Sequence, residues 1–446
     1  PGAKPIPADA WRPRPDGRAF VTSTQSPQPG SGIAAMASAR RIVGDPAAVL
    51  LTCQLIAAAV AFVANILAAR TLAPSGRGEL ALLLQIAYLS SLGLVLGTDR
   101  SVVAVYAGTP VRIVTRSFVR LLVAPSAVCF VLIVAVATVG VPGIGSWRKG
   151  LTLALLFAVT NAFSRAVHSI AIAAGRQQDY LRYALFSSGL LLLAIVALFL
   201  LEVGDSALWV LAYLVTGTVS TAAFVARWAW SGQLASDAGG IPEDGPRQAR
   251  REGLQLLPYA LAHSGVLRID RLLLAGLAST AALGIYASVA TITELIAWPL
   301  LAFASSRLGV WRKAHDSGTL PLRTLFVLAA AYCATATVLM AVVTHLLLLP
   351  LLGPAYRSAG ALVFPLVAAA GVYGMAQLVV TVLTAIRRNW LASVAEVVGF
   401  GVSVVCYVVL IGRFGALGAA YGSLGGYVIS LAVAGGILLV CLRRPR

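Results

Sequence analysis

The chain has 446 residues, of which 59% are hydrophobic and 11% charged, against roughly 25% charged in soluble domains. A water-soluble fold cannot hide that much apolar surface but a bilayer can, so a soluble globular class is excluded. The formal charge of +18 would suit a nucleic-acid binder, but the basic residues stand in short breaks between apolar runs. There they read as topological bias, and no nucleic-acid partner is expected.

Residues 1–45 are rich in Pro, Gly, Ser and Arg and lack the apolar core of a cleaved signal. They read as a disordered cytoplasmic segment, with Met36 a candidate start. Apolar runs of bilayer length follow at roughly 47–69, 80–107, 117–139, 150–173, 183–201 and 206–229. The longest polar break comes next, with Gly239-Gly240-Ile241-Pro242-Glu243-Asp244-Gly245-Pro246 inside it, and residues 230–250 read as a cytoplasmic inter-lobe linker. Six more runs lie at roughly 252–277, 281–306, 323–349, 360–385, 390–411 and 416–441. The pattern predicts an all-α membrane protein of twelve transmembrane helices in two six-helix lobes. The N-lobe covers 46–229, and the C-lobe covers 251–446 with a short basic tail.

With the amino terminus inside, 24 basic residues fall on the inner side and 8 on the outer. That excess puts both termini in the cytoplasm. After the first run, Leu67-Ala68-Ala69-Arg70-Thr71-Leu72-Ala73-Pro74-Ser75-Gly76-Arg77-Gly78 makes a short small-residue turn and then a glycine. After the seventh, Leu277-Ala278-Ser279-Thr280-Ala281-Ala282-Leu283-Gly284 does the same, so a 6+6 pseudo-repeat is expected.

No lysine follows a glycine, which excludes a phosphate-binding Gly-Lys-Ser/Thr loop. The four histidines have no metal spacing, and the five cysteines lie singly in apolar runs as small hydrophobes. No outer loop exceeds about a dozen residues, too little for a membrane glycan ligase or polymerase. The expectation is no enzyme, no metal and no cofactor.

An ionisable group inside a bilayer costs at least about 2.5–3.5 kcal/mol, so each such group is a functional candidate. On the seventh run Arg268 and Arg271 are three apart and share a face, while His263 and Asp270 share another. The arginine pair is a candidate anion ligand, since guanidinium grips phosphate with two hydrogen bonds. The alternative is a structural Arg–Asp pair near the outer interface. Glu294, near mid-depth on the eighth run and five residues before Pro299, is a candidate for proton coupling or gating. Asp270 and His263 join it in that class, and a neutral Glu bonded between helices is the alternative. Arg165 and His168 point the same way from the fourth run and are candidates to complete an anion path, unless Arg165 snorkels inward. Asp99, Arg100 and Glu396 read as interfacial anchors, and Gly422 and Gly426 as a helix-packing pair.

Ala69-Arg70-Thr71-Leu72-Ala73-Pro74-Ser75-Gly76-Arg77-Gly78-Glu79-Leu80-Ala81 resembles the start of the polysaccharide-biosynthesis, Wzx-like oligosaccharide flippases. These belong to the multidrug/oligosaccharidyl-lipid/polysaccharide (MOP) exporter superfamily, whose fold is MATE-like. Arg268-Ile269-Asp270-Arg271-Leu272-Leu273-Leu274, Gly353-Pro354-Ala355-Tyr356 and Gly412-Arg413-Phe414-Gly415-Ala416-Leu417-Gly418-Ala419-Ala420 are similar in style and order. A proline that often follows the eighth span is absent, and lipid II flippases typically carry two further spans. The resemblance covers roughly 47–441. It implies a two-lobed, alternating-access flippase for polyprenyl-pyrophosphate-linked glycan in a bacterial cytoplasmic membrane. Cavity arginines would sit at Arg268, Arg271 and Arg165, with membrane lipids, glycosyltransferases and a polymerase of one pathway as partners. A MATE-type multidrug or organic-cation antiporter is the rival on the same fold and predicts an acidic cavity. A non-transporting scaffold or a glycan ligase is the rival from another class.

Overall fold

The computed structural model describes residues 46–106, 108–138, 148–234 and 245–443. Residues 1–45 and 235–244, where the disordered segment and the middle of the linker are expected, lie outside them. All regular structure among the described residues is helical. In the first half it comprises α1 (Pro46–Val95), α2 (Thr98–Val105), α3 (Val111–Thr138), α4 (Arg148–Ala173), α5 (Gln177–Leu200) and α6 (Ser206–Trp230). The second half begins with α7 (Gly245–Val266), α8 (Ile269–Leu277), α9 (Thr280–Thr293) and α10 (Ala297–Asp316). It ends with α11 (Leu322–Val343), α12 (Leu349–Leu352), α13 (Gly360–Ala385) and α14 (Asn389–Arg443).

Nine helical stretches among the described residues are long and apolar enough to cross a bilayer. Two of them hold a break. In α1, Ala73 leaves helical geometry at φ 55, ψ 176 directly before Pro74, because a proline ring crowds the residue ahead of it out of the helical region. In α14, Gly415 (φ 56, ψ −128) supplies the turn that lacks a side-chain penalty. The α7–α8 stretch is not among the nine; it is interrupted at Leu267 and Arg268, where a single run is expected from sequence. Helix α7 also begins at Gly245, inside the stretch expected as linker, with Pro246 in its first turn where a missing N–H costs nothing. Between α9 and α10 the backbone tightens into a 3₁₀ turn over Glu294–Ile296, just before Pro299, which cannot donate to the carbonyl four residues back.

Val123, Val128, Phe130 and Val131 of α3 are 60–66% exposed, a display that acyl chains tolerate and water does not. By contrast, the apolar window of α13 is 78% buried and that of α5 only 11%, so α13 is the central post of the second half and α5 a rim helix. One buried cluster draws on residues from Ala64 to Ala249. The others draw on buried residues from Val266 to Leu438, joined by Ala69 and Ala81 of α1, with Phe62, Ile66 and Leu82 of the same helix packed against them. Gly422 and Gly426 pack α14 on itself, where an added Cβ would lie 2.6 Å from Tyr407 and 2.0 Å from Ser403.

Among the described residues the halves pack together at both ends of the helices. At the end that the charge bias assigns to the outside, the turn of α1 meets the start of α9. An added Cβ on Gly78 would lie 1.7 Å from the Thr280 carbonyl oxygen, and one on Gly284 would lie 1.8 Å from that of Pro74. At the other end α2 meets α7. There Ser101 Oγ donates to the Ala249 carbonyl at 2.6 Å, and Gly97, in left-handed geometry, lies against Gly253.

Candidate functional site

Between these two contacts lies a chamber of about 340 Å³, lined from both halves. Asn65, Arg77, Gln85 and Tyr88 come from α1, and Tyr213 from α6; Arg268, Arg271, Glu294 and Trp298 come from the second half. The break at Arg268 (φ −137, ψ −18) starts α8 one residue later and turns Arg268 and Arg271 together toward the chamber. The Val266 carbonyl freed by that break accepts from Tyr427 Oη at 3.2 Å, which meets the need of a buried helix end for a partner.

Each guanidinium has its own restraint. Arg77 donates through Nε and Nη2 to Asn65 Oδ1 at 3.2 and 2.7 Å. Arg268 donates from Nη1 to Gln85 Oε1 at 3.3 Å and lies over the Tyr88 ring, 5.3 Å from its centre. Arg271 donates from Nη2 to Glu294 Oε1 in a close ion pair. The charged residues of the lining are thus three arginines and one glutamate. Among the described residues, two buried donors on lining residues, Arg271 Nε and Gln85 Nε2, find no hydrogen-bond acceptor, an arrangement that costs free energy until a ligand or water supplies one.

Asp270 faces the other way. Its carboxylate accepts from Tyr286 Oη at 2.5 Å and from the Arg271 backbone N–H at 2.8 Å. With Tyr286, Tyr373, Ser423 and Tyr427 it borders a second cavity of about 50 Å³ inside the second half. Glu294 and Trp298 line both spaces. The split of the seventh run into an arginine face and an Asp270 face is therefore physical. His263, however, does not join Asp270: its Nδ1 lies 3.6 Å from Glu396 Oε1, the oxygen that accepts from Gln377 Nε2 at 2.6 Å.

The remaining sequence candidates go elsewhere. Arg165 is not in the chamber lining; it donates from Nη2 to Asp99 Oδ2 at 2.5 Å and ties α4 to α2. His168 is half-buried with its ring centre 4.8 Å from those of Tyr180 and Tyr183. Pro299 borders a cleft with Phe303, Leu325 and Leu328, away from the chamber. Glu396 is 1% exposed, so the interfacial-anchor reading does not hold for it. Asp99, as the partner of Arg165, is a cross-helix tie. Sequence reading missed Arg77 and Asn65. Arg77 follows Pro-Ser-Gly and looks like a loop residue, yet the helix resumes at the proline and Arg77 is 7% exposed. Among the described residues no group of three or more His, Cys, Asp or Glu side chains is placed to hold a metal ion.

No family model matches the sequence, and no curated protein matches it. Solved structures do. An inward-facing multidrug resistance MATE family transporter of the MOP superfamily superposes with TM-score 0.65 at 16% identity, covering 86% of this chain and 95% of its own. The fold is that of MOP superfamily transporters. The lipid II flippase MurJ, in an inward closed conformation, gives TM-score 0.64 at 8% identity over 87% of each chain. A MOP superfamily transporter from Pyrococcus furiosus, described as having a binding pocket of reverse polarity that suggests a different function, gives 0.58 at 15% identity. It covers 91% of this chain and 98% of its own. At these identities the likeness concerns the fold, and the chemistry of the MOP-fold chamber has to be read from its own residues.

Proposed function

We propose that the protein is an alternating-access flippase that moves a polyprenyl-pyrophosphate-linked oligosaccharide from the inner to the outer leaflet of a bacterial cytoplasmic membrane, for cell-surface polysaccharide. One observation carries the reading: the chamber sets three guanidinium groups against a single carboxylate, and that carboxylate is already engaged by Arg271. An organic cation would meet net repulsion there. A diphosphate offers both the negative charge and the acceptor oxygens that Arg271 Nε and Gln85 Nε2 lack. The volume sits at the small end of the roughly 300–1,000 Å³ of ligand pockets, which suits a phosphate-bearing headgroup with its glycan extending beyond.

In this reading residues 46–229 rock against 251–446 with both termini in the cytoplasm, and the two contacts between the halves open in turn. Arg77, Arg268 and Arg271 hold the phosphates. Glu294, displaced from Arg271 by the incoming anion, becomes the group able to take up a proton, and Pro299 supplies the bend beside it. Asp270, His263, Arg165 and His168 hold the helices around the chamber rather than the cargo.

The test is transport of a fluorescent polyprenyl-pyrophosphate sugar in proteoliposomes, with inorganic pyrophosphate binding measured by calorimetry. Losing one charge-assisted hydrogen bond costs about 1.5–3 kcal/mol. Arg77→Ala and Arg268→Ala should each therefore weaken pyrophosphate binding by roughly 10- to 150-fold and slow flipping. Normal flipping by the variant lacking all three chamber arginines would overturn the reading. Efflux of an organic cation without any pyrophosphate binding would assign the chain to drug antiport.

A further inference from the structure

The two turns that the sequence pairs as repeats are the same two that close the outer end. Their contact is reciprocal: the carbonyl of Pro74 covers Gly284, and the carbonyl of Thr280, at the matching position of the other turn, covers Gly78. Helices meet here backbone to backbone, with no side chain between them. One turn deeper, Asn65 Nδ2 donates to the Ser288 carbonyl of α9 at 2.8 Å. Ser288 Oγ in turn donates to the Gly284 carbonyl at 2.8 Å. The same Asn65 carboxamide, through Oδ1, takes both hydrogen bonds of the chamber's Arg77. Asn65 is thus shared: its nitrogen belongs to the seal between the halves and its oxygen to the cationic chamber.

The choice of acceptor matters. Arg271 is restrained by a carboxylate, whereas Arg77 is restrained by a neutral amide. A charged phosphate oxygen makes roughly twice as strong a hydrogen bond as a neutral acceptor. It therefore displaces an amide from a guanidinium more readily than it displaces a carboxylate. Once Arg77 turns to an anion, Asn65 Oδ1 is a buried acceptor with no donor in a residue 3% exposed. Separation of α1 from α9 admits water and relieves that. The occupied, sealed state carries a cost that the occupied, open state does not, which is the differential interaction a ligand needs in order to shift an equilibrium.

We propose that Asn65 is a positioning residue that couples occupancy of the chamber to release of the outer seal: an anionic phosphate that captures Arg77 frees the Asn65 carboxamide and loosens the α1–α9 contact. The inference rests on the anionic-cargo reading and adds the route by which cargo opens the exit. By linkage, opening the seal strengthens anion binding by the same factor.

The test uses the full-length protein in proteoliposomes with Ser288→Cys as reporter. Ser288 is fully buried under the seal, so a membrane-impermeant maleimide reaches it only when the outer end opens. Labelling is read against the parent, which carries its five native cysteines. Inorganic pyrophosphate is the probe. In the Ser288→Cys protein, saturating pyrophosphate should raise the labelling rate roughly fivefold or more, the lower range of measured site-to-site coupling. Adding Asn65→Ala should raise basal labelling, abolish its response to pyrophosphate, and tighten pyrophosphate binding, because the competitor for Arg77 is gone. Asn65→Asp, which holds Arg77 by charge, should weaken pyrophosphate binding and so keeps the proposal testable if the alanine variant misfolds. A merely structural Asn65 would instead lower binding in both variants. If pyrophosphate binds but adding Asn65→Ala leaves the labelling response of the Ser288→Cys protein intact, the coupling is wrong and the anionic-cargo reading stands. If pyrophosphate binds neither protein, both fall.

Discussion

A single methyl group on Gly284 should hold the outer end open. In the sealed structure the Cβ of Gly284→Ala would lie 1.8 Å from the Pro74 carbonyl oxygen, whereas ordinary contact begins at 3.4 Å, so α1 and α9 must part by about 1.6 Å. Neither partner can yield cheaply, since both are backbone. Overpacking of this kind costs about 1–3 kcal/mol, which shifts the sealed–open equilibrium by roughly 5- to 150-fold toward open. Gly78→Ala, with its Cβ 1.7 Å from the Thr280 oxygen, should act equally. The double variant should add little, because one separation relieves both clashes. Maleimide labelling at Ser288→Cys reads the opening. Gly93→Ala, whose Cβ would meet nothing within 4 Å, is the matched control. Labelling of the Gly284→Ala protein at the control's rate, with flipping intact, would refute the idea that the seal is a glycine contact.

Further outcomes follow from the same geometry. Arg271→Ala strands the Glu294 carboxylate, which is 29% exposed. The cost should reach at most the ~3–5 kcal/mol of a broken buried pair, and adding Glu294→Gln should restore most of the lost melting temperature in detergent. Asp99→Ala removes the partner of a 37% exposed Arg165, so it should cost no more than about 1 kcal/mol and leave pyrophosphate binding unchanged. A large loss of binding there would return Arg165 to the cargo path. Gly415→Ala forces a side chain into φ 56 and should lower stability by roughly 1–2 kcal/mol in a denaturation series.

The solvent of this chain is legible in its composition, and so are the helical runs, their turns and the glycine-marked repeat. These follow from local properties: bilayer thickness sets run length, proline and glycine break helices by their own covalent geometry, and a charge in hydrocarbon announces itself wherever it lies. The pairing of Arg268 with Arg271 on one face, and the opposite face of Asp270, were likewise readable from a spacing of three. Which intramembrane arginine lines the chamber was not. Arg165 and Arg268 look alike in sequence, but the packing of α2 against α4 gives the first a carboxylate to bind, while the second meets an amide and a tyrosine face. Arg77 looks like a loop residue until the helix after Pro74 is seen to carry it inward, and Asn65, a lone amide in an apolar run, does not tell by itself which groups it pairs with. The amino-acid order alone determined the membrane class, the main helical runs and the turns at Pro74 and Gly415, because those depend on neighbours along the chain. Only the tertiary structure decided the chamber and its seals, because each depends on which groups from the two halves come within hydrogen-bonding distance across some two hundred residues.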